Sequence, residues 1–168
     1  MDVLVKGKDF AQRLFNQVIG LQSTRLKMER PAIMRYGTFI SLDFGEDISR
    51  KLKGKRTIGQ FGEWHFRMDI CSWRIDKEGV PLVASYDSRE KIRANLSVLK
   101  SRKVTEIQVL NNAFDLKFQF GDDVVLTVFS INARDERWEL YTPENKVFFA
   151  GPGAAWKYVE EERAEVDS

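Results

Sequence analysis

The sequence predicts an α+β fold, predominantly antiparallel sheet, with seven to nine strands, possible division into two similar meander units, and two helices packed on it. Three observations carry this. Apolar and polar residues alternate with period two in segment after segment, as in Thr38, Ile40, Leu42, Phe44 and again in Trp64, Phe66, Met68, Ile70. Two stretches show helical spacing beside an acid followed three residues later by Gln or Glu. Short polar clusters such as Gly121-Asp122-Asp123 and Pro143-Glu144-Asn145 separate neighbouring strands as tight turns do. A chain of 168 residues, 43% apolar and 31% charged, is the size of one domain and can bury a core without a disulfide or metal. We expect a single domain over 1–158 and an acidic C-terminal tail over 159–168.

In order along the chain, the first helix is expected from Asp9 to Ile19, with Asp9 and Gln12 as a capping box, Phe10, Leu14, Phe15 and Val18 as its apolar face, and Gly20 as its stop. Leu26 and Met28 alternate with charged residues in a short strand ended by Pro31. The strand 38–44 is expected to turn at Gly45-Glu46-Asp47 into a polar loop over 46–62. The Trp64–Ile70 strand then loses its register to Trp73 and Ile75, which suggests a bulge near Cys71-Ser72. Asp76-Lys77-Glu78-Gly79 forms a hairpin turn into 80–84. Asp87 with Glu90 caps a second helix, whose Ile92, Leu96 and Leu99 face the sheet; Lys100, Arg102 and Lys103 complement its C-terminal dipole. Strands follow over 104–110, 114–120, 124–130, 138–141 and 146–150.

An internal echo runs through these elements. Phe44-Gly45-Glu46-Asp47 matches Phe120-Gly121-Asp122-Asp123, Thr38/Ile40/Leu42/Phe44 match Phe114/Leu116/Phe118/Phe120, and Glu63-Trp64-His65-Phe66 answers Arg137-Trp138-Glu139-Leu140. Duplication of a sheet motif and the alternation common to all meanders both account for it.

From Asp87 to Trp156 the chain carries a capped helix, Val104-Thr105-Glu106-Ile107, Phe114 to Asp122, Glu136-Arg137-Trp138-Glu139-Leu140 and Gly151-Pro152-Gly153. This stretch resembles bacterial families of small β-rich proteins of unknown function, marked by a strand pair joined at Phe-x-Asp-Gly, a Trp strand and a late Pro-Gly. Here Gly121 precedes Asp122, a departure from that pattern. Some of these families are proposed to be toxin-system immunity proteins, so the resemblance implies partner binding and supplies no catalytic residue.

The charge, +2 in total, divides unevenly: 12 Lys/Arg against 6 Asp/Glu in residues 1–60, 10 against 8 in 61–120, and 5 against 11 in 121–168. A strongly basic nucleic-acid binder is excluded; a local basic contact is not. No apolar run approaches the ~20 residues of a membrane helix, the start lacks a signal-peptide pattern, and the lone Cys71 makes no internal bridge. We therefore expect a cytoplasmic protein.

His65 is the only histidine. Asp69, four residues along the same strand, lies ~13 Å away at ~3.3 Å per residue, too far to orient it. No nucleophile elbow, phosphate loop or zinc-ligand spacing occurs, so we expect no enzyme, no cofactor and no metal; Asp122-Asp123 with Asp135-Glu136 is a carboxylate set of the kind that takes Ca²⁺ or Mg²⁺, but turn acids ordinarily face water and cap backbone groups. The expected function is a non-enzymatic protein-interaction module, immunity-like in that it would bind and occlude a partner protein. Candidate contacts are the basic loop Arg50, Lys51, Lys53, Lys55, Arg56 and the anchors Trp73, Arg74, Trp156 and Tyr158. Two alternatives stay open: a nucleic-acid accessory protein using the 50–56 loop, and a small-ligand-binding β domain.

Overall fold

Alternation along the strands produces two amphipathic sheets that bury their apolar faces against each other. The computed structural model describes residues 2–29, 37–51 and 58–161, the side chains of 2–6 excepted. Helix α1 (Asp2–Asn16) precedes β1 (Ser23–Glu29), β2 (Phe39–Arg50), β3 (Gly59–Met68), β4 (Cys71–Lys77) and β5 (Val80–Ala84). Helix α2 (Arg89–Asn95), continued by a 3-10 turn over Leu96–Leu99, precedes β6 (Val104–Val109), β7 (Leu116–Phe120), β8 (Val124–Ser130), β9 (Trp138–Tyr141), β10 (Lys146–Ala150) and β11 (Trp156–Glu160). All strand pairs are antiparallel, in sheets ordered β1-β2-β3-β9-β10-β11 and β5-β4-β8-β7-β6. The α+β antiparallel class is thus as expected, with eleven strands among the described residues where seven to nine were expected, because β11 adds an edge and Cys71 begins a separate strand.

The two halves of the chain repeat one plan: a helix, a three-stranded meander in one sheet, then a hairpin that crosses to the other sheet beside the partner half's third strand. β4 pairs with β8, and β9 pairs with β3. The registers agree position by position. Phe44 opposes Trp64 as Phe120 opposes Val124, and Trp73 opposes Val128 as Trp138 opposes Met68. The indole N–H of Trp73 donates to the Thr38 carbonyl at 2.7 Å and that of Trp138 to the Phe114 carbonyl at 2.9 Å. Thr38 and Phe114 are themselves matched in the sequence echo. That echo therefore marks a structural repeat, with one correction: the equivalent of Trp138 is Trp73, since Trp64 lies on a third strand of its meander and Trp138 on a crossing strand.

Phe15 from α1 joins the two sheets, with ring centroids 6.2 Å from Phe66, 5.7 Å from Phe118 and 5.3 Å from Trp138. Each such buried aromatic contributes on the order of 1.5–3 kcal/mol by leaving water.

Four local expectations are corrected by packing. Helix α1 starts well before Asp9, since Gly7 lets it lie against Trp156, where a Cβ would come within 2.5 Å of the indole. Gly45, at φ +80°, does not end β2; the strand bulges between Phe44 and Asp47 and continues to Arg50, so the expected 46–62 loop shortens at both ends. The register slip after Ile70 is a change of sheet: Met68 and Trp73 both enter the shared core from opposite walls. Ser88, not Asp87, caps α2, accepting from the Lys91 amide at 3.2 Å, while Asp87 accepts from the Ala84 amide.

Candidate functional site

The expected contact residues separate. Arg50 is buried at 3% exposure: it pairs with Glu161 at 2.6 Å, donates to the carbonyls of Gly62 and Glu63, and covers the Tyr141 ring. It braces the fold and is not available to a partner. Trp73, 1% exposed, is likewise core. Arg74 is exposed and held by Asp76. Trp156 and Tyr158 are half-buried, packed on Phe10 with centroids 5.4 and 4.9 Å away. Lys51 borders a small pocket of about 180 Å³ beside Tyr141 and Phe149. Lys53, Lys55 and Arg56 lie outside the described residues, as do 162–168; Val159 and Glu160 belong to β11.

The outer face of the six-stranded sheet holds a buried polar row. Cross-strand register places Asp43 beside His65 and His65 beside Tyr141, with Ser41, Arg67 and Glu139 as the next row. His65 Nδ1 contacts Asp43 Oδ1, while Arg25 donates to Asp43 Oδ2 at 3.0 Å and to Asp47 at 2.9 Å. Tyr141 donates to Glu139 at 2.8 Å. Phe61, further along the curled β3, sits edge-on to the imidazole at 4.8 Å. The equivalent positions on the other sheet are Gln119, Val125 and Asp76, all partly exposed, so the buried row is a property of one half only.

Burial pushes the His65 imidazole below its ordinary range; Asp43 opposes this, and Arg50 and Arg67 add to it. Burial would raise the Asp43 carboxyl, but the hydrogen bonds it accepts from His65, Arg25 and the Gly62 amide hold it below the usual range. Glu139 is raised by burial against the pull of Tyr141 and Arg67. The outcome is a neutral imidazole oriented by a carboxylate, the electronic arrangement of a general base. Its Nε2, however, is buried with no hydrogen-bond partner, so no hydroxyl or thiol among the described residues is placed to be activated. Asp69, Glu136 and Glu139 bring carboxylate oxygens within 4.8 Å of one another, although Glu139 is already engaged by Tyr141. Of the acids weighed for a cation, Asp123 pairs instead with Arg102 at 2.6 Å and Asp135 accepts from Asn132.

A second site was not anticipated. A groove of about 540 Å³ runs between β1 and the α2 helix with its 3-10 extension, lined by Thr24–Met28 on one wall and Arg89, Arg93, Leu96, Ser97 and Lys100 on the other. Five consecutive strand residues form a wall only at a strand's edge, because alternate side chains point to opposite faces. The helical residues follow i, i+4, i+7, i+8 and i+11, a single stripe. Arg25 is committed to Asp43 and Asp47, whereas Lys27, Arg89, Arg93 and Lys100 have no ion-pair partner among the described residues. No carboxylate and no aromatic ring among those residues lines the groove.

The sequence signal for this site was present in fragments. Arg89 and Arg93 share a helix face, yet nothing local says that β1, some sixty residues earlier in the chain, stands opposite. The Asp43–His65 pair has no local signal, because the two residues meet only through the pairing of β2 with β3. Among the described residues no helix is long and apolar enough to cross a membrane. Comparison with protein-family models, with curated proteins and with solved structures gives no match for this chain, so the functional reading rests on the two sites just described.

Proposed function

We propose that this chain is a non-enzymatic protein-interaction module whose recognition site is the groove between β1 and α2, and that its partner presents an acidic segment. The observation that carries this is the concentration of Lys27, Arg89, Arg93 and Lys100, unpaired among the described residues, around one groove that no described carboxylate lines. Cations kept unpaired in a concave, partly apolar site attract a counter-charge from outside the molecule. A polypeptide fits better than nucleic acid, because single-stranded nucleic acid sites join a basic groove to aromatic rings on which the bases stack, and this groove has no such ring among the described residues. An immunity-like role, in which occupying an acidic surface blocks the partner, agrees with this reading and with the resemblance over 87–156.

The test is fluorescence anisotropy with a labelled hexapeptide of alternating Glu and Val, beside a labelled oligothymidylate. We expect the peptide to bind, to weaken as salt rises, and to lose at least tenfold in affinity in the variant carrying Arg89→Glu, Arg93→Glu and Lys100→Glu. Equal binding by that variant, or preference for the oligothymidylate, overturns the proposal.

A further inference from the structure

Resting on the groove as the recognition site, we propose that the partner segment binds as an added antiparallel or parallel strand on the free edge of β1, bonded to the Leu26 carbonyl and the Met28 amide, with its acidic side chains held by Lys27, Arg89, Arg93 and Lys100. The internal repeat supplies the argument. Leu26 opposes Leu42 on β2 as Ile107 opposes Phe118 on β7, so β1 is the counterpart of β6, with Leu26 and Met28 matching Ile107 and Val109. The same reciprocal backbone pair opens both strands. Ser101 donates to the Ser23 carbonyl and Ser23 to the Arg102 carbonyl; Gly20 donates to the Val104 carbonyl and Val104 to the Leu21 carbonyl. Each strand bulges just after that pair, so the edge-facing positions agree beyond it.

At β6 that edge is closed from within. The Gln12 side chain of α1 donates to the Ile107 carbonyl at 2.7 Å and accepts from the Val109 amide at 2.8 Å, imitating a strand with one amide group. The reciprocal bonds match Gly20 to Ser101, so the residue eight positions earlier in the other half, the counterpart of Gln12, is Arg93, which lines the groove and bonds neither backbone group. The Leu26 carbonyl and Met28 amide therefore have no partner on that edge among the described residues. An exposed strand edge is a template for another chain. Thr24–Met28 span ~17 Å at ~3.4 Å per residue, enough for four or five residues of an extended peptide. A second β1 is poorly suited to the place, since it would bring Lys27 and Arg25 against cations of the same sign.

The test uses the Glu/Val hexapeptide in two N-methylated series, each with alternate amides blocked. In an added strand alternate amides face β1 and the others face away. We expect one series to lose at least tenfold in affinity and the other to stay within threefold of the parent. Equal affinity for both series, with charge dependence intact, would leave the groove as the site but overturn strand addition. No binding by the parent peptide would instead remove the recognition site itself. Sedimentation of the free protein completes the test: a monomer is expected, and a dimer abolished by Met28→Pro would mean that a second copy holds the edge, overturning the proposal.

Discussion

The state of His65 makes a sharp prediction about stability against pH. In the fold the ring is 2% exposed, bonded to Asp43 through Nδ1, and without a partner at Nε2 among the described residues. Burial holds its pKa below the ordinary value, against the opposing pull of Asp43. The unfolded chain then takes up a proton near pH ~6.5 that the native state refuses. The contribution of His65 is complete above that pH and is lost as pH falls toward the lower native pKa. If the native ring stays neutral, the loss between pH 7.5 and 5.5 reaches at most about 1.4 kcal/mol. Asp43, ionised in both states over this window, adds no slope. Glu139 has the opposite sign: its raised native pKa means that acidification toward the carboxylate range favours the fold. Urea denaturation at pH 7.5, 6.5 and 5.5 should show the wild type losing stability on acidification, and His65→Gln, lower at every pH, showing a flat or reversed slope. A wild type that gains stability toward pH 5.5, with the gain removed in His65→Gln, would mean a charged imidazolium paired with Asp43 and would refute this account.

Two further predictions concern the repeat and the core. Trp73→Phe and Trp138→Phe each remove an indole donor from a matched carbonyl, Thr38 or Phe114, and should each destabilise by about 1–3 kcal/mol in urea unfolding; a large effect in one and none in the other would argue that the two indoles are not equivalent. The Cys71 thiol is fully buried and burial pushes its pKa up, so its reaction with a thiol reagent at pH 8 should follow global unfolding. A native-state rate near that of a free thiol would show that the strand opens locally.

Much of this molecule follows from local rules. Alternation identifies the strands because one face of each must leave water, and it survives in nearly every one, from Ile40-Leu42-Phe44 to Leu116-Phe118-Phe120. The turn residues at Glu78-Gly79 and Gly121 set hairpins through their positive φ angles. Even the duplication is written in the chain, as the match of 38–44 to 114–120, although matching Trp138 with Trp73 instead of Trp64 required knowing which sheet each strand joins.

What the sequence alone determined was the class of fold, the positions of most strands and the apolar faces, since each depends on neighbours within a few residues. Only the tertiary structure decided that Arg50 is buried against Glu161, that Asp43 meets His65 across two strands, and that β1 faces the basic stripe of α2. Those outcomes depend on which distant segments are brought together, and a charge carries the same signature in sequence whether it is neutralised inside the fold or left to wait for a partner. The two halves share one plan, yet a glutamine closes one strand edge, whereas at its counterpart an arginine lines a groove and no described residue bonds the edge.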